Sequence, residues 1–361
     1  MLPPLETIPA HVASVADYEK LARERVEAGA WAYLQGGAAD ELTVASNLAS
    51  YARCQIVPRH FRDLSQAHTR VSLFGRTFEH PILVAPTAYH RLFHPDGEFA
   101  SLLGATAMQA GFTVSTQASI PLEQLAGEAT AGLWFQLYIQ PDREFTLDLV
   151  RRAERAGYEA LVLTADAPLS GIRNREQRAG FQMPADVSAV NLQGMRPQPP
   201  EQQVFGSQLL RQAPTWKDLT WLAEHTTLPI LFKGVLHPED TRTALDHGAS
   251  GIIVSNHGGR ILDTTPSTFE VLPDIAKAVG DDAPVLFDGG IRRGSDVFKA
   301  ICSGADAVMV GRPVLHGLAA AGAVGVAHVL KLLRTELEMT MALAGCADLA
   351  SAGSEHLRFK S

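Results

Sequence analysis

The chain has 361 residues, is 46% hydrophobic and carries 31 basic against 39 acidic side chains, a formal net charge of −8. No basic block stands out, which disfavours a nucleic-acid partner, and no run of roughly 18 uninterrupted apolar residues occurs, so no transmembrane helix is expected. Met1-Leu2-Pro3-Pro4-Leu5-Glu6 lacks the features of a signal peptide, and Cys54, Cys302 and Cys346 are too scattered for a disulfide framework or a metal-ligand pattern, so a reducing cytosol is the default expectation.

Residues 1–75 read as a helical extension. Tyr18, Leu21, Ala22 and Val26 give Val15 to Ala30 helical spacing, and Gly36-Gly37 ends a second short helix carrying Trp31, Tyr33 and Leu34. Between about 80 and 345 a rhythm sets in: a short apolar run, a glycine-rich or polar turn, then a helical stretch. The runs are Ile82 to Ala85, Phe112 to Ser115, Trp134 to Tyr138, Ala160 to Thr164, Pro229 to Lys233, Gly251 to Ser255, Pro284 to Asp288 and Ala307 to Val310. Glu144 to Ala156, Pro238 to His247 and Ser295 to Ser303 are among the helical stretches. Unbroken apolar runs mark strands buried on both faces. Eight β-α units predict an α/β fold, a closed (β/α)8 TIM barrel, with a doubly wound open sheet as the weaker alternative. The connection at 167–214, after the fourth strand, breaks the rhythm. It includes Met183-Pro184 and Pro197-Gln198-Pro199-Pro200-Glu201-Gln202-Gln203. Its length predicts a lid over the C-terminal face of the barrel. The mostly polar stretch from Pro184 to Gln212 speaks against membrane attachment.

Polar residues close most of the runs: Ser115, Gln136, Tyr138, Thr164, Asp166, Lys233, Ser255, His257 and Asp288. The barrel gathers them on one rim. In Ser255-Asn256-His257-Gly258-Gly259-Arg260 a proton acceptor and a carboxylate-gripping guanidinium share one loop. A base beside an anion clamp is what removing hydrogen from the carbon next to a carboxylate requires. The plainer alternatives are a helix-start loop with a surface histidine, and a Lys233 that simply pairs with Asp166 or Asp288. Nothing resembles a metal cluster. After the last two strands stand Asp288-Gly289-Gly290-Ile291-Arg292-Arg293-Gly294 and Val310-Gly311-Arg312-Pro313. Such barrels often bind phosphate there, although tight-turn glycines beside solvated arginines would look the same. A phosphate at one edge of a flat, lysine-lined pocket suggests FMN. No GxGxxG opens a βαβ unit near the N-terminus, which disfavours a Rossmann-bound dinucleotide.

These motifs, with Ala85-Pro86-Thr87-Ala88, Phe135-Gln136-Leu137-Tyr138, Leu163-Thr164-Ala165-Asp166 and Lys233-Gly234, are carried in order. Through them the chain resembles the FMN-dependent α-hydroxy-acid oxidases and dehydrogenases, a family that includes glycolate oxidase, lactate oxidase and mandelate dehydrogenase. The likeness runs from about Tyr18 to Ala347, as a single domain, and Lys233 to Asp240 looks most like lactate oxidase. It implies that His257 is the base, that Asp166 holds its ring, and that Arg260 and Arg173 clamp the substrate carboxylate, with Tyr33 and Tyr138 bonding the substrate. It implies that Lys233 faces the N1–C2=O edge of the flavin, and that Pro86, Thr87, Ala88, Ser115, Gln136, Thr164 and Ser255 line the ring. Asp288 would meet the ribityl chain, and Gly289, Gly290, Arg292, Gly311 and Arg312 would hold the phosphate. The expected activity is oxidation of an (S)-2-hydroxy acid to the 2-oxo acid, with oxygen as acceptor and hydrogen peroxide as product, in a homotetramer. Amino-acid oxidation, a quinone-type acceptor, a non-redox flavin isomerase and a non-catalytic flavin-binding module are the alternatives. Gln117, Leu34 and Tyr89-His90-Arg91 depart from the commoner family pattern and alter the pocket's size and polarity, whereas Ala88 resembles the oxidases.

Overall fold

The computed structural model describes residues 2–195 and 204–360. The eight apolar runs form eight parallel strands: β1 (Ile82–Val84), β2 (Phe112–Ser115), β3 (Leu133–Leu137), β4 (Ala160–Thr164), β5 (Ile230–Val235), β6 (Gly251–Val254), β7 (Val285–Asp288) and β8 (Ala307–Val310). Each pairs with the next, and β8 returns to β1, closing the barrel. Every strand residue is buried except Gly234. Alternate residues explain this. Leu83, Trp134, Val162, Leu231, Ile253, Leu286 and Met309 fill the interior, while neighbours such as Ile82, Phe135, Leu161, Ile252, Phe287 and Val308 meet the surrounding helices. The architecture is the (β/α)8 barrel expected from the rhythm.

The extension departs from expectation in two places. One helix was expected from Val15 to Ala30, but Val15–Arg23 and Ala28–Gln35 are separate helices. Arg25 bends back, its Nη1 donating to the carbonyl of Leu21 at 2.8 Å and its Nε to that of Pro3 at 3.0 Å. A side chain thus satisfies a carbonyl at the helix end. Residues 54–75, read as part of a helical segment, instead supply strands together with 76–78 just beyond. Cys54–Ile56 pairs antiparallel with Leu357–Phe359, and Val71–Leu73 forms a hairpin with Arg76–Phe78. The hairpin plugs the N-terminal mouth of the barrel, where Phe74 and Phe78 set their edges on Trp134.

The long connection is built rather than structureless in its described parts. It carries a short helix at Asn174–Arg178, a 3-10 turn at Val190–Leu192 and a further turn of helix at Gln208–Arg211. It is tied down where the Val190 amide donates to the Ala118 carbonyl and where Asn191 Oδ1 accepts from the Leu122 amide. Its Pro197 to Gln203 stretch, on which part of the lid expectation rested, lies outside the described residues.

The helix Arg312–Ala344 is long and apolar enough to cross a membrane, yet 78% of its apolar window is buried inside the protein. It kinks at Ala321 and Gly322 and packs against Gly97–Ala107 and Val15–Arg23. The approach depends on small residues. A Cβ on Gly104 would lie 2.6 Å from the Ala323 carbonyl oxygen and from Val326 Cβ. Backbone cannot yield cheaply, so Gly104→Ala is expected to cost about 1–3 kcal/mol. A lowered denaturant midpoint would confirm the packing, and an unchanged midpoint would mean the helices separate freely.

Candidate active site

The C-terminal rim is set by strand register. Ser115 faces Gln136 and Thr164 faces Lys233 across neighbouring strands. The side chains join into two hydrogen-bonded sets. Ser115 Oγ donates to Gln136 Oε1 at 3.1 Å, and Gln136 Nε2 donates to Thr164 Oγ1 at 3.1 Å. On the next strands Lys233 Nζ donates to Ser255 Oγ at 2.8 Å, and Ser255 Oγ donates to Asp288 Oδ1 at 2.7 Å. Lys233 Nζ also lies 3.1 Å from Asp288 Oδ2, so it does pair with Asp288, while keeping its place on the rim. Burial alone would pull the ammonium pKa down, but Asp288 and Asp166 outweigh it and hold the pKa above its ordinary value. Lys233 is therefore a buried cation at neutral pH.

His257 leaves the end of β6. Its Nδ1 is 2.8 Å from Asp166 Oδ1. Burial pushes the Asp166 carboxyl upward, but the His257 charge, the His257 hydrogen bond and Lys233 together bring it below the ordinary aspartate value. Two backbone irregularities make the pair. Strand β5 bulges between Lys233 and Val235, and Gly234 has φ +111°. A Cβ there would sit 2.6 Å from Asp166 Cγ, so only glycine admits the carboxylate. His257 itself has φ +55°, followed by Gly258 at +62° and Gly259 at +74°. A non-glycine residue in this region is strained, and such strain concentrates at functional sites. The Asn256 side chain secures the turn, accepting from the Gly259 amide at 3.2 Å.

Arg260 and Arg173 approach from two loops. Arg260 Nη1 donates to the carbonyls of Tyr33 (2.7 Å) and Gly36 (2.6 Å), and its guanidinium lies 5.0 Å from the centre of the Tyr33 ring. The end of the Ala28–Gln35 helix thus positions both Arg260 and Tyr33. Burial and the neighbouring Arg260 lower the pKa of Arg173 to about 10, which leaves it charged at neutral pH. Burial, reinforced by Asp166, raises Tyr138 well above its ordinary value, and burial raises Tyr33. Both phenols are hydrogen-bond donors throughout the neutral range. Tyr33 also meets Phe181 and Tyr89, with centroids 5.2 and 6.3 Å apart, and the Tyr89 amide donates to the Gln117 carbonyl at 3.2 Å. Of the residues that depart from the commoner pattern, Tyr89 and Gln117 therefore lie on the Tyr33 side of the site, while Leu34 gives its carbonyl to Arg312.

The loops after β7 and β8 complete the rim. Asp296 accepts from the amides of Arg292 (3.0 Å) and Arg293 (2.9 Å), and Glu336 accepts from that of Gly294 (2.8 Å). These amides are engaged by carboxylates, whereas Gly289 and Gly290 form a half-buried turn with positive φ (+122° and +77°). Tyr51 holds the turn, its hydroxyl donating to the Gly289 carbonyl at 2.7 Å. Arg292 Nη1 donates to the Ile291 carbonyl at 2.9 Å, and burial lowers its pKa. Arg312 is more committed than expected of a free phosphate arm. Its Nε, Nη1 and Nη2 donate to the carbonyls of Leu34, Gly258 and Gly36, which knits the helical extension to the His257 loop. Pro86, Thr87 and Ala88 follow β1 beside the β8 loop: a Cβ on Gly311 would lie 3.4 Å from Thr87 Cγ2. Thr87 Oγ1 is fixed by His90 Nε2 at 2.6 Å.

Three buried polar atoms along this surface lack a protein partner: Asp166 Oδ2, Arg173 Nε and Thr268 Oγ1, the last beside Gly289. Orphaned donors and acceptors at both ends, with a cationic lysine between, suit an elongated, phosphorylated, hydrogen-bonding ligand such as FMN. Among the described residues no group of His, Cys, Asp or Glu could hold a metal ion.

Three features escaped the sequence. Asn47 and Asn256 exchange side-chain amide hydrogen bonds at 2.9 and 2.8 Å, which fixes the histidine loop to the Leu42–Ala52 helix. Tyr51 is the second. The third is Glu176, whose Oε1 lies 3.4 Å from a nitrogen of each arginine, Arg173 and Arg260. A run of alternating charges reads as solvated surface, so no sequence signal marked it.

The family model for FMN-dependent dehydrogenase matches residues 22–359. The L-lactate oxidase of Alicycliphilus denitrificans is 48% identical over 353 residues, 96% of each chain. Glycolate oxidase 1 of Zea mays is 42% identical over 352 residues, covering 96% of this chain and 95% of its own. A crystal structure of mandelate oxidase with benzoyl-formic acid superposes with a TM-score of 0.88 at 42% identity, covering 96% of this chain and 98% of the other. With the barrel, the His257–Asp166 pair and the lysine-centred rim already in place, these matches settle the family: the chain belongs to the FMN-dependent dehydrogenases.

Proposed function

We propose that this protein is an FMN-dependent (S)-2-hydroxy-acid oxidase, which converts a small 2-hydroxy acid to the 2-oxo acid and reduces oxygen to hydrogen peroxide. The observation that carries this reading is the His257–Asp166 hydrogen bond, in the same mouth as Arg173, Arg260, Tyr33 and Tyr138. Similarity to lactate and glycolate oxidases supports it.

The residues divide the work. Arg173 and Arg260 grip the substrate carboxylate, and Tyr33 and Tyr138 donate hydrogen bonds to its oxygens. His257 takes a proton from the substrate, and Asp166 stabilises the imidazolium that results. FMN, when bound, would supply the acceptor for the remaining hydrogen and the two electrons, with oxygen as their final acceptor. Lys233 would offer it a fixed positive charge where negative charge collects on reduction. Gly289, Gly290, Arg292, Gly311 and Arg312 would hold its phosphate, and Ser115, Gln136, Thr164 and Ser255 would offer polar groups to its ring.

We further infer a homotetramer in the cytosol. Free Cys54, Cys302 and Cys346 are compatible with a reducing compartment. The exposed side chains of Phe61, Met339 and Leu343 are suited to cover by other copies. Anaerobic mixing with lactate, glycolate, mandelate, longer 2-hydroxy acids and L-amino acids tests the activity. Bleaching of the yellow flavin by at least one 2-hydroxy acid, with peroxide formed on admitting air, is the expected result. Bleaching by amino acids alone, with release of ammonia, would replace the alcohol substrate with an amine.

A further inference from the structure

The two clamp arginines share a counter-ion. Glu176 Oε1 lies 3.4 Å from Arg173 Nη1 and 3.4 Å from Arg260 Nη2. All three side chains are between 16% and 19% exposed, so solvent screens them only partly. The distances are long for hydrogen bonds, and the contact acts chiefly through charge. Glu176 also faces backbone of the Ala28–Gln35 helix end: a Cβ on Gly36 would be 3.6 Å from its Oε1. It therefore reaches the clamp from the side of the Tyr33-bearing helix, whereas His257 and Asp166 belong to the barrel rim.

We propose that Glu176 is a specificity-determining residue that sets the charge of the anion the clamp accepts. Glu176 cancels part of the positive charge of Arg173 and Arg260. A second carboxylate on the substrate would also meet the negative charges of Glu176 and Asp166 in a partly desolvated site. Glu176 therefore favours a monoanion over a dianion of the same shape. The inference rests on the reading of Arg173 and Arg260 as a carboxylate clamp.

Oxalate and oxamate test it. They are nearly equal in shape, but one is a dianion and the other a monoanion. Their dissociation constants are read from the perturbation of the bound flavin's absorbance, with no turnover required. In E176Q the ratio of oxalate to oxamate affinity should rise roughly tenfold over that of the unaltered protein, because about one unit of opposing charge has gone. E176D, which keeps the charge, should restore most of the original ratio. Catalysis should report the same shift: kcat/KM for 2-hydroxysuccinate should gain on kcat/KM for lactate in E176Q but not in E176D. A ratio that stays within about twofold in E176Q, or that moves equally in E176D, overturns the charge role. If neither anion perturbs the flavin of the unaltered protein, the clamp reading fails with it. If both bind and Arg260→Met weakens both, the clamp stands and the ratio alone decides the role of Glu176.

Discussion

His257→Gln should retain FMN and lose turnover by a factor of about 10² to 10⁴. Glutamine keeps a hydrogen-bonding group and much of the volume, but it cannot take a proton at neutral pH. On the proposed arrangement the rim and the loops after β7 and β8, not His257, hold the cofactor, so the yellow colour should survive desalting. The companion change, Asp166→Asn, separates proton acceptance from orientation. It leaves an imidazole in place but removes the carboxylate 2.8 Å from Nδ1. The imidazolium then loses its stabilising charge and the ring loses its enforced tautomer, so the same order of loss is expected. Because the two residues act as a unit, the double variant should be little worse than either single one. Stopped-flow flavin reduction under anaerobic conditions measures all three. Normal reduction in His257→Gln would remove His257 as the base. Losses that simply multiply in the double variant would show two independent roles.

The barrel was legible because its strands are buried twice over. A strand with helices on one face and a packed interior on the other has no room for polar residues, so it stands out as an apolar run, and its end announces the rim. That logic found Lys233, His257 and Asp288 without coordinates. It could not show that Lys233 and Asp288 touch, since β6 lies between their strands and the contact depends on how far the two side chains reach across the rim. The break at Arg23 was hidden because Tyr18, Leu21, Ala22 and Val26 keep helical spacing across the helix end, while the group that caps it, the Arg25 guanidinium, carries no periodic signal. Strands of three residues at 54–56, 71–73 and 76–78 are too short for a period to register. The Asn47–Asn256 exchange joins residues 209 positions apart, and neither amide has any local reason to draw notice. The glycines after His257 were read as room for a tight turn. That the left-handed conformation begins at the histidine itself is a tertiary effect, imposed by Asp166 on one side and the Asn256 side chain on the other.

Lys233→Met should slow flavin reduction by on the order of 10² or more and shift the flavin midpoint potential downward by tens of millivolts, about 30 mV for each 1.4 kcal/mol lost from a two-electron couple. Lys233 and Asp288 are 3.1 Å apart, with side chains 5% and 11% exposed. Asp288 and Asp166 hold the ammonium pKa above its ordinary value despite burial. A raised folded-state pKa means the stabilising contribution is complete below the ordinary lysine value and disappears only as pH rises through the folded one. Across the neutral range the charge is therefore fixed and available to the flavin edge. Methionine removes it and leaves Asp288 buried beside Ser255, its lysine partner gone, at a cost of about 3–5 kcal/mol. The single variant thus mixes two losses, and Lys233→Met/Asp288→Asn divides them. With both charges gone the fold should recover most of its stability, because a neutral pair does not carry the desolvation penalty of a lone ion. Flavin reduction should not recover, because the cation that stabilised the reduced ring is still missing. Recovery of both in the double variant would make Lys233 no more than the partner of Asp288. Recovery of stability alone assigns it to the chemistry.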